Sequence, residues 1–362
     1  MATVAGLQYR ASRYESVFRA SRTLSSLVVV NIALCQDCAL SAGSPIFKPN
    51  NGVNTRSRNA ALFVIAVLAI CGFTFTSQTQ AQNRGVYPLG MSATNSGVTP
   101  APGFTYVNQL LIYSRDESKG PDGAVLATGS NAVVMDMNTI AWVSKKEFLG
   151  GAKFSMTATL PVAKNSLTSD ASGTVSGGAG FADSYYQPFI LGWNKERVAF
   201  RAVYGFLAPT GRFNAGANDN VGSGYWTHAF SSGQTLYLTK DKATILSAFQ
   251  MYEVHTTQQD TGIHPGQTFD LDFSLMRELP VGRKRWLQVG LVGYNARQTT
   301  AKRGPGVTRD QAATRYKVNA LGFASSANLP GKVNVGFKYF QEFSNRSTFQ
   351  GHSIQVSGSI KF

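Results

Sequence analysis

The chain has 362 residues, of which only 15% are charged, although the hydrophobic fraction of 43% is ordinary; soluble domains carry about 25% charged residues. Gly (36 residues), Ser, Thr, Asn and Gln replace the missing charge, which argues against a soluble enzyme core and for a turn-rich sheet with one apolar and one neutral-polar face. The net charge of +15 is scattered, with no basic run longer than Arg283-Lys284-Arg285, so nucleic acid is not an expected partner.

Residues 56–81, RSRNAALFVIAVLAICGFTFTSQTQA, set two arginines before an apolar run from Ala60 to about Phe73 and close on Thr79-Gln80-Ala81. This is the order of a secretory signal peptide. The run is too short for a transmembrane helix, which takes about 20 residues. Ile70 stands where the lipobox-like Leu68-Ala69-Ile70-Cys71 wants a small residue. Cys35, Cys38 and Cys71 all precede residue 82, so the exported chain is expected to hold neither disulfide nor reactive thiol. Residues 1–55, Arg- and Ser-rich, read as a doubtful N-terminal extension from a mis-called start, with Val53 as an alternative initiation point.

Residues 82–102, QNRGVYPLGMSATNSGVTPAP, are rich in Gly, Pro and Ser and predict either a flexible segment or a short plug. From residue 103 the hydrophobic period is two. Phe154, Met156, Ala158 and Leu160 share one parity; so do Phe269, Leu271, Phe273 and Leu275, against Asp270 and Asp272. Strands are predicted near 103–114, 131–144, 151–163, 182–193, 197–208, 224–239, 243–255, 267–279, 285–298, 314–326, 332–342 and 351–362. Their connections alternate long and short, as in 164–181 and 194–196. Outer-membrane barrels sort their loops this way and soluble sandwiches do not.

The expected fold is therefore all-β: a transmembrane antiparallel up-and-down β-barrel over 103–362. It has about 12 strands, with 10 or 14 as alternatives because the first, second and sixth alternate poorly. Parity sends Arg201, Asp270, Asp272, Lys338, Trp286 and Phe340 into the lumen as candidate solute contacts. In the alternative reading, such charges merely pair with one another. The four histidines, His228, His255, His264 and His352, lack metal-ligand spacing. No G-x-S-x-G occurs, and Gly177-Gly178-Ala179-Gly180 opens no helix. Neither a metal, a cofactor nor an enzymatic activity is expected.

An ordered set of short motifs adds specificity. Gly180-Phe-Ala-Asp183 precedes Pro188 and Leu191-Gly192-Trp193. Pro209-Thr-Gly211-Arg-Phe213 and Tyr225-Trp226 follow, then Pro265-Gly266 before Asp270 and Asp272, and Gly290-Leu-Val-Gly-Tyr294 with Gln298-Thr299. Together they resemble the MetA pathway of phenol degradation family of transporter-like outer-membrane barrels. That resemblance implies passive uptake of small hydrophobic or aromatic compounds in the outer membrane of a Gram-negative bacterium. Thr300, Ala301, Lys302 and Arg303 stand where the family pattern places acidic residues, which counts against a loop-borne cation or solute site there. The last strand, GHSIQVSGSIKF, ends on Phe362 and resembles the C-terminal signature that barrel assembly machinery reads. Partners expected on this basis are that machinery, lipid and lipopolysaccharide, and the solute, with the barrel a monomer. The alternative readings are an anchor or adhesin presenting its outer loops, and an outer-membrane hydrolase using His255 or His228.

Overall fold

Period-two segments bury one face only when they pair side by side, and here they do so all the way round. The computed structural model describes residues 85–169, 173–281 and 284–362. The doubtful extension 1–55, the signal peptide 56–81 and residues 82–84 lie outside the described residues. The strands are β1 Gly103–Lys119, β2 Val125–Phe148, β3 Ala152–Ser169, β4 Gly173–Phe181, β5 Ser184–Asn194, β6 Val198–Ala208, β7 Thr227–Tyr237, β8 Thr244–His255, β9 Thr268–Val281, β10 Lys284–Gln298, β11 Lys317–Leu329, β12 Val333–Glu342 and β13 Thr348–Lys361. Consecutive strands pair antiparallel except β4 and β5; β5 pairs with β3 and β6, and β1 pairs with β13. The sheet closes on itself as a transmembrane barrel of twelve staves. Closure removes every sheet edge that a bilayer could not hydrate.

Thirteen strands make twelve staves because β4 and β5 are halves of one. β4 pairs with the far part of β3 (Val162↔Phe181) and β5 with the near part (Thr159↔Tyr185). The break at Ala182 and Asp183 turns the Asp183 side chain away to hold a loop. Its carboxylate accepts from Gly211 N–H at 2.9 Å, Ser223 N–H at 2.7 Å and Ser223 Oγ–H at 2.6 Å. Burial pushes this carboxyl up, and the three donors pull it back. The P-T-G turn and the glycine-rich segment before Asp183 are thus two sides of one outer-loop anchor.

Two predicted long loops are instead strand. β1, β2 and β3 run 17, 24 and 18 residues and, with β4, build a tall wall on one side of the outer mouth. Thr- and Ser-rich sequence disguised that extension as loop. The predicted loop 299–313 also contains one helical turn, α1 Arg309–Ala313, closed by a Thr308/Gln311 capping box.

Large apolar side chains cover the outside: Leu160 is 51% exposed, Leu291 66% and Phe323 52%. Trp142, Phe148 and Phe154 cluster near the short-turn end, and Tyr186, Phe206 and Trp226 near the long-loop end. Such paired aromatic girdles mark the two membrane interfaces.

Register explains the poor alternation of β1, β2 and β7. In β1 and β2, Gln109↔Met137 and Leu111↔Met135 lie on the lumenal face, whereas Asn108↔Asn138 and Leu110↔Asp136 lie outside. The outward polar groups satisfy one another. Asn108 Nδ2 donates to Asp136 Oδ1 at 2.6 Å, Asn138 Nδ2 donates to Asp136 Oδ2 at 3.0 Å, and Tyr106 OH donates to Asn138 Oδ1 at 2.5 Å. On β7, outward Ser232 donates to Gln250 at 3.0 Å and accepts from Gln234 at 3.1 Å. Polar side chains facing lipid are tolerable only in such closed groups. The exchange leaves the lumenal face of β1 and β2 unusually apolar.

Candidate lumenal site

A lumen lined by Ser, Thr, Gln and charged groups is wet unless something fills it. Residues 85–102 fill part of it, running without regular structure along the inside of the wall. At the end near β1, Thr99 and Asn194 exchange two hydrogen bonds: Thr99 N–H to Asn194 Oδ1 at 3.0 Å and Asn194 Nδ2 to the Thr99 carbonyl at 2.8 Å. Farther in, Gly97 N–H donates to Thr235 Oγ1 at 3.0 Å and Arg201 Nε donates to the Ser96 carbonyl at 2.8 Å. At the far end, Glu253 accepts from Val86 N–H at 3.2 Å and Tyr87 N–H at 3.0 Å, and Gly85 N–H donates to Tyr316 OH at 2.8 Å. The segment therefore spans most of the lumen's height.

Asp272 is the central anchor. It is fully buried and accepts from Tyr87 OH at 2.6 Å, Gly90 N–H at 3.0 Å and Ser92 N–H at 3.1 Å. Across the segment, Lys338 Nζ donates to the carbonyls of Gly90 and Met91. A carboxylate on β9 and an ammonium on β12 thus clamp the same turn, each satisfying backbone groups that would otherwise be orphaned inside the barrel. Ser274 Oγ donates to the Ala93 carbonyl at 2.7 Å and Gln355 Nε2 to the Leu89 carbonyl at 2.8 Å.

Phe340 is fully buried, with its ring 4.9 Å from Tyr294, and lies directly against Gly90. Gly90 has φ +80°, and a Cβ there would overlap the Phe340 ring. The turn requires glycine on both counts. Gly90→Val should therefore undock the segment while leaving the barrel closed. Higher single-channel conductance with unchanged heat-modifiable gel mobility is the expected result; unchanged conductance would show that the ring has moved aside.

The six sequence candidates do not form one constellation. Asp272, Lys338 and Phe340 meet at the central turn, and Arg201 meets the segment at Ser96 on the opposite wall. Asp270 is buried above Asp272, and its Oδ2 has no hydrogen-bond partner. Trp286 belongs to β10, and its side chain lies outside the described residues. Of the histidines, His255 is buried and paired with Thr227 Oγ1 at 2.8 Å, while His228 sits on the outer face beside Tyr204 at 2.9 Å. Among the described residues, no group of three His, Cys, Asp or Glu side chains is arranged to hold a metal ion.

Glu253 was missed because β8 is apolar on both parities: Ile245, Phe249 and Met251 are buried inside, while Leu246 is exposed outside. Gln187 was hidden by Pro188. The register between Tyr186↔Phe206 and Phe189↔Tyr204 contains one extra residue, a bulge at a residue with no N–H to contribute. The bulge reverses parity, so Gln187 and Ile190 both face the lumen.

Between the segment and the β1–β5–β6 side of the wall, a cavity of about 220 Å³ stays open. Met91, Ile190, Val203 and Phe249 give it apolar surface, and Gln109, Gln187 and Arg201 give it polar groups.

Comparison with known proteins agrees with this architecture. The family model described as the MetA-pathway of phenol degradation matches residues 114–357. No curated protein matches the chain. Among solved structures, a COG4313 outer membrane channel from Pseudomonas putida F1 is similar in fold, with a TM-score of 0.63 at 12% identity, covering 74% of this chain and 98% of that one. The beta domain of the Bordetella autotransporter BrkA matches at a TM-score of 0.40 and 10% identity, covering 72% and 100%. OprB of Pseudomonas putida matches at 0.33 and 9%, covering 72% and 91%.

Proposed function

Because the chain belongs to the MetA-pathway of phenol degradation family, we propose that it is an outer-membrane channel for passive entry of small hydrophobic or aromatic compounds. The observation that carries this reading is the inner face of β1 and β2. Val107, Leu111, Met135 and Met137 line it, where a water-filled porin would be polar. That apolar strip adjoins a cavity whose other walls mix aliphatic and aromatic side chains with amide groups. Small-molecule sites have this make-up, apolar surface with a few orienting polar groups. Asp272, Lys338 and Phe340 act on the solute indirectly, by holding residues 85–102 in place inside the lumen.

Vesicles with lipopolysaccharide in the outer leaflet, which slows unaided entry of apolar solutes, provide the test. With purified protein they should take up benzyl alcohol and benzoate faster than a sugar of similar mass. Uptake equal to that of protein-free vesicles for every aromatic tried would overturn the reading.

A further inference from the structure

Arg201 presents a charge that the barrel does not balance. Its Nε is used by the Ser96 carbonyl, and no other hydrogen bond to its guanidinium occurs among the described residues. No carboxylate of the described residues lies within ion-pair distance of it. Lys338, by contrast, faces Asp272 across the segment it clamps. Arg201 is half-buried, and a cation taken partly out of water without a counter-charge is costly. Holding Ser96 does not require one, since a neutral amide could donate to the same carbonyl.

Arg201 lines the 220 Å³ cavity. No acidic residue lines that cavity; its polar lining is Gln109, Gln187, Ser92 and Thr94. The space takes several water molecules or one aromatic ring with a small substituent. Phe249, Ile190, Val203 and Met91 would cover a ring, while the planar fork of a guanidinium matches a carboxylate through two parallel N–H···O bonds.

We infer that this cavity is a binding site for a small aromatic carboxylate, with the Arg201 guanidinium on the carboxylate and Phe249 and Ile190 against the ring. The inference rests on the channel reading only in that the ligand reaches the site through the lumen. It names the subclass of solute that the site retains: the anion rather than its neutral relatives.

Calorimetric titration of the full-length protein in detergent tests binding directly, using benzoate, benzamide and inorganic phosphate as probes. Wild type should bind benzoate more tightly than either of the others. Arg201→Gln keeps a donor for Ser96 and should weaken benzoate about tenfold or more, the loss expected for a charge-assisted bidentate contact. Arg201→Lys should fall between, because it retains the charge without the fork. Heat-modifiable mobility establishes that each variant is folded. Equal affinity for benzoate and benzamide, equal affinity for benzoate and phosphate, or an Arg201→Gln protein that binds benzoate like wild type would each overturn the inference. Uptake of benzyl alcohol by vesicles reports on the channel separately. Its loss would remove the channel reading without touching the titration, and its persistence alongside failed benzoate binding would remove only the site.

Discussion

A chain lacking residues 85–102 will conduct several-fold more current than wild type and lose the preference for aromatic solutes over sugars proposed above. Those residues make no strand pairing, so the twelve staves close without them. What disappears is the material that Asp272, Glu253, Arg201, Lys338 and Gln355 hold across the lumen. Removal exposes at least three charged side chains to water inside one barrel, which favours ions and small polar solutes over apolar ones. Planar-bilayer recording at matched salt reads the current, and vesicle swelling reads the selectivity. A variant with wild-type conductance would mean that current does not flow past this segment at all.

The second large effect is expected from Asp272→Ala. This substitution leaves Tyr87 OH and Gly90 N–H without their acceptor and removes one of the two acceptors of Ser92 N–H. Ser92 N–H keeps the Tyr87 hydroxyl at 2.8 Å, and an unsatisfied buried donor costs about 1–3 kcal/mol, so the other two shift the docking equilibrium by roughly 2 kcal/mol or more, on the order of thirtyfold. The segment then exchanges between docked and undocked positions, and the channel should flicker between two conductance levels. A single-cysteine reporter checks the same event chemically. With Cys35, Cys38 and Cys71 replaced, Ser92→Cys should react slowly with a small thiol reagent in the parent and much faster when combined with Asp272→Ala. Equal rates would show that the Lys338 side of the clamp suffices.

How much of this was legible beforehand depends on which contacts are local. Antiparallel neighbours in a barrel are also neighbours in sequence, so period-two patterning and loop lengths place nearly every stave. The departures come from residues that obey a different constraint. Asn108, Asp136 and Asn138 point outward because they satisfy one another across β1 and β2, which scrambles parity on both strands. Pro188 bulges and Asp183 breaks a stave, and neither event changes the hydrophobic average around it. The lumenal contacts were less accessible still. Asp272 meets Gly90 across 182 residues, and no pattern of spacing links an aspartate on β9 to a turn that precedes the barrel. Parity could say that Arg201, Asp272 and Lys338 face inward. Only the packed lumen separates the two that clamp the segment from the one left facing open space.

The way residues 85–102 are attached has its own consequence. They join β1 through Pro100-Ala101-Pro102, a stiff link that cannot swing far. The segment is therefore a tethered occupant of the lumen, present at an effective concentration in the millimolar range. A synthetic peptide of the same sequence would have to reach about that concentration to replace it. A dilute solute cannot win such a contest. On the channel reading proposed above, solutes are instead accommodated beside the docked segment, so the width of the space left free governs permeation, and entry proceeds without waiting for the segment to leave.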